Sequence, residues 1–246
     1  MTISFGDYAT VLTSTGWVPS RRLDALPGPP PLSLRMARTL VPARTRDGIK
    51  RTLTRALALE ARRRAAGLVA SGQELRLHLG CGPNHLSGWI NVDLVSARPD
   101  LPWDLARPTP FPDSSITAIF YEHLLEHLPL PPAIGLLRES HRLLKPGGVL
   151  RVGVPDFGRY ARDYAGRRTL IARLRPGRPT ALLALSELAF CFGHASVWDD
   201  ETLLAALREA GFPAPAVRRF GDSAIDPAPD SPWREDETLY AEAMRS

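Results

Sequence analysis

Leu75-Arg-Leu-His-Leu-Gly-Cys-Gly-Pro-Asn84, followed closely by Ile90-Asn-Val-Asp93, decides how this chain of 246 residues is read. Leu75, Leu77 and Leu79 alternate with the period of a strand. Gly80 and Gly82 then allow a turn in which backbone can approach a ligand that a Cβ would hold away. Asp93 closes the next strand, where a carboxylate can accept hydrogen bonds from a ribose diol, as in nucleotide-binding α/β folds. The dinucleotide fingerprint asks for a third glycine, a full helix and an acidic residue about 20 positions on. Here Asn84 stands at the third glycine position, and Asp93 follows too soon for that helix. The spacing therefore disfavours a pyrophosphate on a helix start and leaves room for a nucleoside without phosphates.

Outward from this stretch, the chain alternates strand and helix signals. Strands are expected at 75–79, 89–94, 116–121 and 148–154, the last two as apolar runs of the kind buried in parallel sheets, with a last strand at 237–243. Pro131 opens a helix with the stripe Ile134, Leu137, His141 and Leu144, which should stop at Lys145-Pro-Gly-Gly148. A second helix is expected from Asp199 and Asp200, whose carboxylates can cap free amides, to Gly211. Right-handed crossovers would fold these elements into an open sheet covered by helices.

Composition sets the outer limits. Hydrophobic residues make up 44% and charged residues 23%, ordinary values for a globular chain. The net charge of +5 is unevenly placed: residues 1–70 contain twelve Arg or Lys against four Asp or Glu, so the remainder is slightly acidic. We divide the chain into a basic extension, 1–70, irregular at first and helical from 48, and a main domain, 71–246. In the extension, Ile49, Leu53 and Leu57 form a stripe expected to pack on the body, with membrane-surface, partner-docking and nucleic-acid roles as the alternatives. The absence of aromatic residues among its arginines disfavours base stacking. Two cysteines, Cys81 and Cys191, cannot build a disulfide framework, so a reducing, cytoplasmic setting is expected. No run of apolar residues is long enough to span a bilayer.

The ordered motifs Leu-Gly-Cys-Gly-Pro-Asn84, Trp89-Ile-Asn-Val-Asp93, Phe111-Pro-Asp-Ser-Ser115, Glu122-His-Leu-Leu-Glu-His127, Leu144-Lys-Pro-Gly-Gly148 and Val154-Pro-Asp156 resemble the class I S-adenosylmethionine-dependent methyltransferases. They look closest to a bacterial branch with a shortened first helix. The resemblance runs from about residue 75 to the C-terminus. It implies a Rossmann-like α/β fold: an open, mostly parallel sheet of seven strands with helices on both faces and an antiparallel last strand. S-adenosyl-L-methionine is the implied cofactor. Gly80, Cys81 and Gly82 would face its methionine portion, Asp93 its ribose, Asp104 and Leu105 its adenine, and Tyr121 and Glu122 its sulfonium. His78 departs from the family pattern, where an acidic residue is common.

The acceptor is the less legible half. His123, leaving a strand at the reacting end, and His194, in the loop Phe192-Gly-His-Ala195, are the candidate catalytic residues, since imidazole titrates near neutrality. An O-methyl acceptor on a small molecule or glycan-type intermediate is expected, with nucleic acid disfavoured and a monomer or homodimer as the assembly. A non-catalytic cofactor-binding module and a nicotinamide oxidoreductase are the alternatives. His123-Leu-Leu-Glu-His127 also matches the H-x-x-E-H pattern of zinc proteases. It follows an apolar strand and precedes Pro129 and Pro131, whereas that zinc site needs a long helix. No metal is therefore expected, and His127 is assigned to capping or packing.

Overall fold

The computed structural model describes residues 43–94, 98–190 and 192–246. Residues 1–42 and Cys191 lie outside the described residues. The described part of the extension forms two helices, α1 (Ala43–Ala56) and α2 (Ala58–Ala70), rather than the single helix expected from 48. The expected stripe packs only at its end: Leu57 is half-buried, while Ile49 and Leu53 are each more than half exposed. Small residues dock instead, with Ala61 and Ala65 buried in the main core. Alanine lets the helix backbone approach the sheet where leucine would hold it off.

Seven strands follow: β1 (Arg76–Leu79), β2 (Ile90–Asp93), β3 (Leu101–Pro102), β4 (Ile116–Glu122), β5 (Leu144–Pro155), β6 (Ala216–Arg218) and β7 (Thr238–Met244). They form one sheet in the order β3-β2-β1-β4-β5-β7-β6. β1 to β5 pair in parallel, while β7 runs antiparallel to both β5 and β6. Leu77, His78 and Leu79 are all buried, so β1 is covered on both faces, as a central parallel strand must be.

The glycine stop is reassigned. α3 (Leu130–Leu143) ends where expected, but Leu144 already pairs with Ile116, and the register then jumps so that Val149 pairs with Ala118. Lys145-Pro-Gly-Gly148 is a bulge within β5, not a loop before it. Gly148 is required there, because a Cβ would lie 2.9 Å from the Lys145 carbonyl oxygen.

Between β5 and β6 the chain adds α4 (Phe157–Ala165), α5 (Thr169–Leu174), α6 (Ala181–Phe190) and α7 (Asp200–Glu209). α4 to α6 have a core of their own, built on Tyr160, Leu170, Ile171, Leu174, Ala184 and Leu188. Asp156 caps α4 by accepting from the Arg159 amide, and Asp199 caps α7 by accepting from Thr202. The small helical unit is thereby fastened beside the carboxyl end of β5, where open α/β sheets carry their ligands.

Candidate active site

Two features meet at the carboxyl ends of the central strands. The first is the glycine turn. The Gly80 amide donates to the Val92 carbonyl at 2.8 Å, and the Gly82 amide donates to Asp93 Oδ2 at 2.8 Å. Asp93 Oδ1 accepts from the Leu94 amide, leaving the remaining lone pairs of the carboxylate for a diol. Gly80 and Gly82 both have positive φ, at 66° and 51°. Their roles differ. A Cβ on Gly80 would meet the Leu124 side chain at 2.7 Å, whereas one on Gly82 would enter open space. Gly80 serves packing, and Gly82 opens the cradle. The residues present thus fit a phosphate-free nucleoside cofactor, held by turn backbone and one carboxylate.

The second feature is a cavity of about 350 Å³ lined by His123, Glu126, His127, Arg175, His194 and Arg234, among others. His123 leaves β4 with φ 54°, and a 3-10 turn over Leu125–His127 presents Glu126 and His127. His194 comes from the loop after α6. The Ala195 and Ser196 amides, at 2.7 and 3.1 Å, both donate to the Glu126 carbonyl, which clasps that loop to the turn. The Leu124 side chain packs on Gly80 and directly precedes the Leu125–His127 turn, so cradle and cavity are neighbours.

The electrostatics of the cavity follow from burial. Glu126 is 1% exposed, and burial pushes its carboxyl up to about 8. Burial lowers His194 to about 4, despite a hydrogen bond to the Leu188 backbone that works the other way. His123 is held well below its ordinary value by burial and then by the Arg234 guanidinium. Arg234 Nη1 donates to His123 Nδ1 at 2.9 Å, so His123 is the Nε2–H tautomer and its Nε2 donates to Thr238 Oγ1 at 2.8 Å. Arg175 and Arg234 each reach Glu237 at 3.4 Å, which offsets their charge.

The remaining side chains expected at the cofactor have the following surroundings. Asp104 is buried under α1, where Arg55 Nη2 donates to its Oδ2 at 2.9 Å, and Leu105 packs against the main core. The Tyr121 side chain is wholly buried in that core. Glu122 Oε1 accepts from Tyr240 Oη at 2.6 Å and from the Ser231 amide at 3.2 Å. Asp104 and Glu122 thus already have intramolecular partners, and Leu105 and Tyr121 pack in apolar surroundings. Cys81 is buried, and burial together with the charges of Asp93 and Asp100 pushes its thiol up to about 12, so it serves as a small filler. His123 and His194 are brought together, and Glu126 and His127 join them. The signal for Glu126 is the same His-Leu-Leu-Glu-His run, in which it is the acidic member.

Residues 101–152 match the family model described as a methyltransferase domain. No curated protein matches the sequence. Among solved structures, the chain resembles a SAM-dependent methyltransferase from Archaeoglobus fulgidus at 15% identity and TM-score 0.47, covering 80% of this chain and 94% of that one. It also resembles an S-adenosylmethionine-dependent methyltransferase from Mesorhizobium loti, at 20% identity and TM-score 0.41 over 73% and 96% of the two chains. An O-methyltransferase family protein from Burkholderia thailandensis gives 15% identity and TM-score 0.45 over 87% and 62%.

Proposed function

We propose that the chain is a class I S-adenosylmethionine-dependent methyltransferase, whose motifs it resembles and whose domain model residues 101–152 match, and that it transfers the methyl group to a hydroxyl of a small molecule or glycan-type intermediate. The observation that carries this reading is the polar cavity of Glu126 and His194 set beside the Gly82–Asp93 turn. The cofactor, S-adenosyl-L-methionine, supplies an electrophilic methyl group on a sulfonium. The turn backbone at Gly80, Cys81 and Gly82 and the Asp93 carboxylate would hold it, with the acceptor beyond the ends of β4 and β5.

Much of the acceleration in such a displacement comes from alignment and from exclusion of water. A hydroxyl acceptor must also lose a proton, which requires a base within hydrogen-bond reach. His194 fills that role. Its Nδ1–H donates to the Leu188 carbonyl at 2.6 Å, so Nε2 carries the lone pair toward the cavity. Although burial makes this imidazole a weak base, a hydroxyl becomes strongly acidic as its oxygen gains a methyl group, and a weak base then suffices. His123 cannot accept a proton at Nδ1 without losing Arg234, and it acts as a positioning residue for the wall of the cavity.

The test is a calorimetric titration with adenosylmethionine and with a nicotinamide dinucleotide, followed by methyl-transfer assays over a panel of hydroxyl and amine acceptors. Binding of the former alone, with turnover on hydroxyls that falls at least tenfold in His194→Ala, supports the reading. Turnover confined to amines would refute it. No helix among the described residues is long and apolar enough to cross a membrane.

A further inference from the structure

We propose that Glu126, His127 and His194 form a binding site for one divalent first-row transition ion of the zinc type, with an open coordination position facing the cavity. One donor atom from each of the three side chains lies within 4.8 Å of the others. The groups are brought together from separate parts of the fold, the turn after β4 and the loop after α6, and the Ala195 and Ser196 amides bonded to the Glu126 carbonyl hold those parts in register.

The second observation is the state of Glu126. Both of its carboxylate oxygens are buried, and neither has a hydrogen-bond partner. Two imidazoles approach it, His123 Nδ1 at 3.4 Å and His194 Nε2 at 4.0 Å, both beyond good hydrogen-bond geometry. A buried carboxylate without donors is costly to keep, and buried charges are ordinarily paired or bound to a metal. His123 does not repair the deficit, because its Nδ1 accepts from Arg234 and has no proton to give. It belongs to the H-x-x-E-H run in sequence but stands outside the ligand set in space, so the arrangement differs from that of the zinc proteases. The third ligand, His194, comes from a distant loop that the sequence pattern could not connect.

The surrounding hydrogen bonds suit ligation. Metal-bound histidines usually donate their other ring N–H to a carbonyl or carboxylate, which fixes the ring and its tautomer. His194 does so to the Leu188 carbonyl, and His127 is hydrogen-bonded to the Gly193 backbone, toward which its Nδ1 faces. His127 stands exposed at the mouth while Glu126 lies at the floor, which gives an ion a way in. Two imidazoles and one carboxylate suit zinc and its neighbours; magnesium and calcium favour sets made of oxygen. Three protein ligands leave a position open, as in catalytic rather than structural zinc sites. With an ion bound, His194 Nε2 would be a ligand and no longer a base; assigning the open position to the acceptor oxygen, which an ion would acidify, rests on the methyl-transfer reading above, whereas ion binding itself does not.

The experiment uses the full chain without an affinity tag, stripped with a chelator and titrated with Zn²⁺, with Mg²⁺ and with Co²⁺. One Zn²⁺ per chain is expected, no saturable Mg²⁺ binding, and a visible Co²⁺ absorption band that nitrogen and oxygen ligands in a low-symmetry site produce. Glu126→Gln, His127→Ala and His194→Ala should each weaken Zn²⁺ binding by at least tenfold. Circular dichroism and adenosylmethionine titration on the same samples show whether each variant remains folded, and the exposed position of His127 makes that variant the least dependent on core packing. Absence of saturable Zn²⁺ binding, or wild-type affinity in folded His127→Ala and His194→Ala, would overturn the site. If adenosylmethionine binds and Zn²⁺ does not, the ion site fails while the methyl-transfer reading stands. The opposite result would remove the cofactor reading and keep the site.

Discussion

The Gly82 amide donates to Asp93 Oδ2 at 2.8 Å, which joins the end of β2 to the turn after β1 as one unit. Asp93 therefore has two tasks, bracing the turn and offering its free lone pairs to a diol. The two can be separated. Asp93→Asn keeps an oxygen acceptor for the Gly82 amide but loses the charge, while Asp93→Ala loses both. Calorimetry should show adenosylmethionine affinity falling in both variants, by at least tenfold in Asp93→Ala and less in Asp93→Asn. Equal affinity in Asp93→Ala and wild type would remove Asp93 from the cradle.

Gly80 and Gly82 look equivalent in sequence and are not equivalent in space. Both have left-handed backbone, which costs an L-residue with a Cβ roughly 1–2 kcal/mol. Gly80→Ala must in addition push aside Leu124, the residue between His123 and the Leu125–His127 turn. Crowding of that kind adds about 1–3 kcal/mol. Thermal unfolding should therefore rank Gly80→Ala below Gly82→Ala. Cofactor titration should show the Gly82 variant losing affinity out of proportion to its stability, because the new methyl group enters the cradle itself.

The opening stretch disclosed its fold because its signals are local. Strand alternation, glycine freedom and a carboxylate at a strand end are all properties of a few neighbouring residues, and β1, β2 and the turn lie where those signals put them. Asp104 and Glu122 were less legible, because their partners Arg55 and Tyr240 are remote in sequence. Ile49 and Leu53 misled for a related reason: a stripe shows which face of a helix is apolar, not whether the sheet offers it a place. The convergence of Glu126 with His194 depends on a loop contact made through backbone amides, for which no side-chain pattern exists.

His78 gives a test of stability against pH. Burial lowers it to about 4, against a weaker opposing hydrogen bond to Asn91, so the folded chain holds it neutral. In the unfolded chain it titrates near 6.5. Between those values the unfolded state binds the extra proton, and stability must fall as pH drops from about 6.5 toward 4. The full shift corresponds to roughly 3 kcal/mol. His78→Leu removes the titration while Asn91 Oδ1 keeps the Leu86 amide as a donor. Denaturant unfolding across this range should show a shallower acid decline in the variant. The other buried histidines contribute to the decline in both proteins, so the difference between the curves isolates His78.

Arg151 supplies the remaining test, because it fastens the loop before β7 to the sheet. It is fully buried on β5; its Nε and Nη2 donate to the two Asp230 oxygens at 2.5 Å, and Nη1 reaches Glu242 at 2.9 Å. Nη1 and Nη2 also donate to the carbonyls of Asp222 and Arg219. Removing one member of a buried charge network leaves the others uncompensated, typically at about 3–5 kcal/mol. Arg151→Met retains volume but strands Asp230 and Glu242, so unfolding in denaturant should shift by that order. The same loop carries the Ser231 amide to Glu122 and leads into Arg234, which holds His123. Asp230→Asn, which leaves Arg151 paired with Glu242, should leave the chain folded but loosen that support. Its turnover on a hydroxyl acceptor should drop more than its adenosylmethionine affinity, because Arg234 and His123, which the loop supports, line the cavity. Equal losses in both would place the effect of the loop on the whole fold instead.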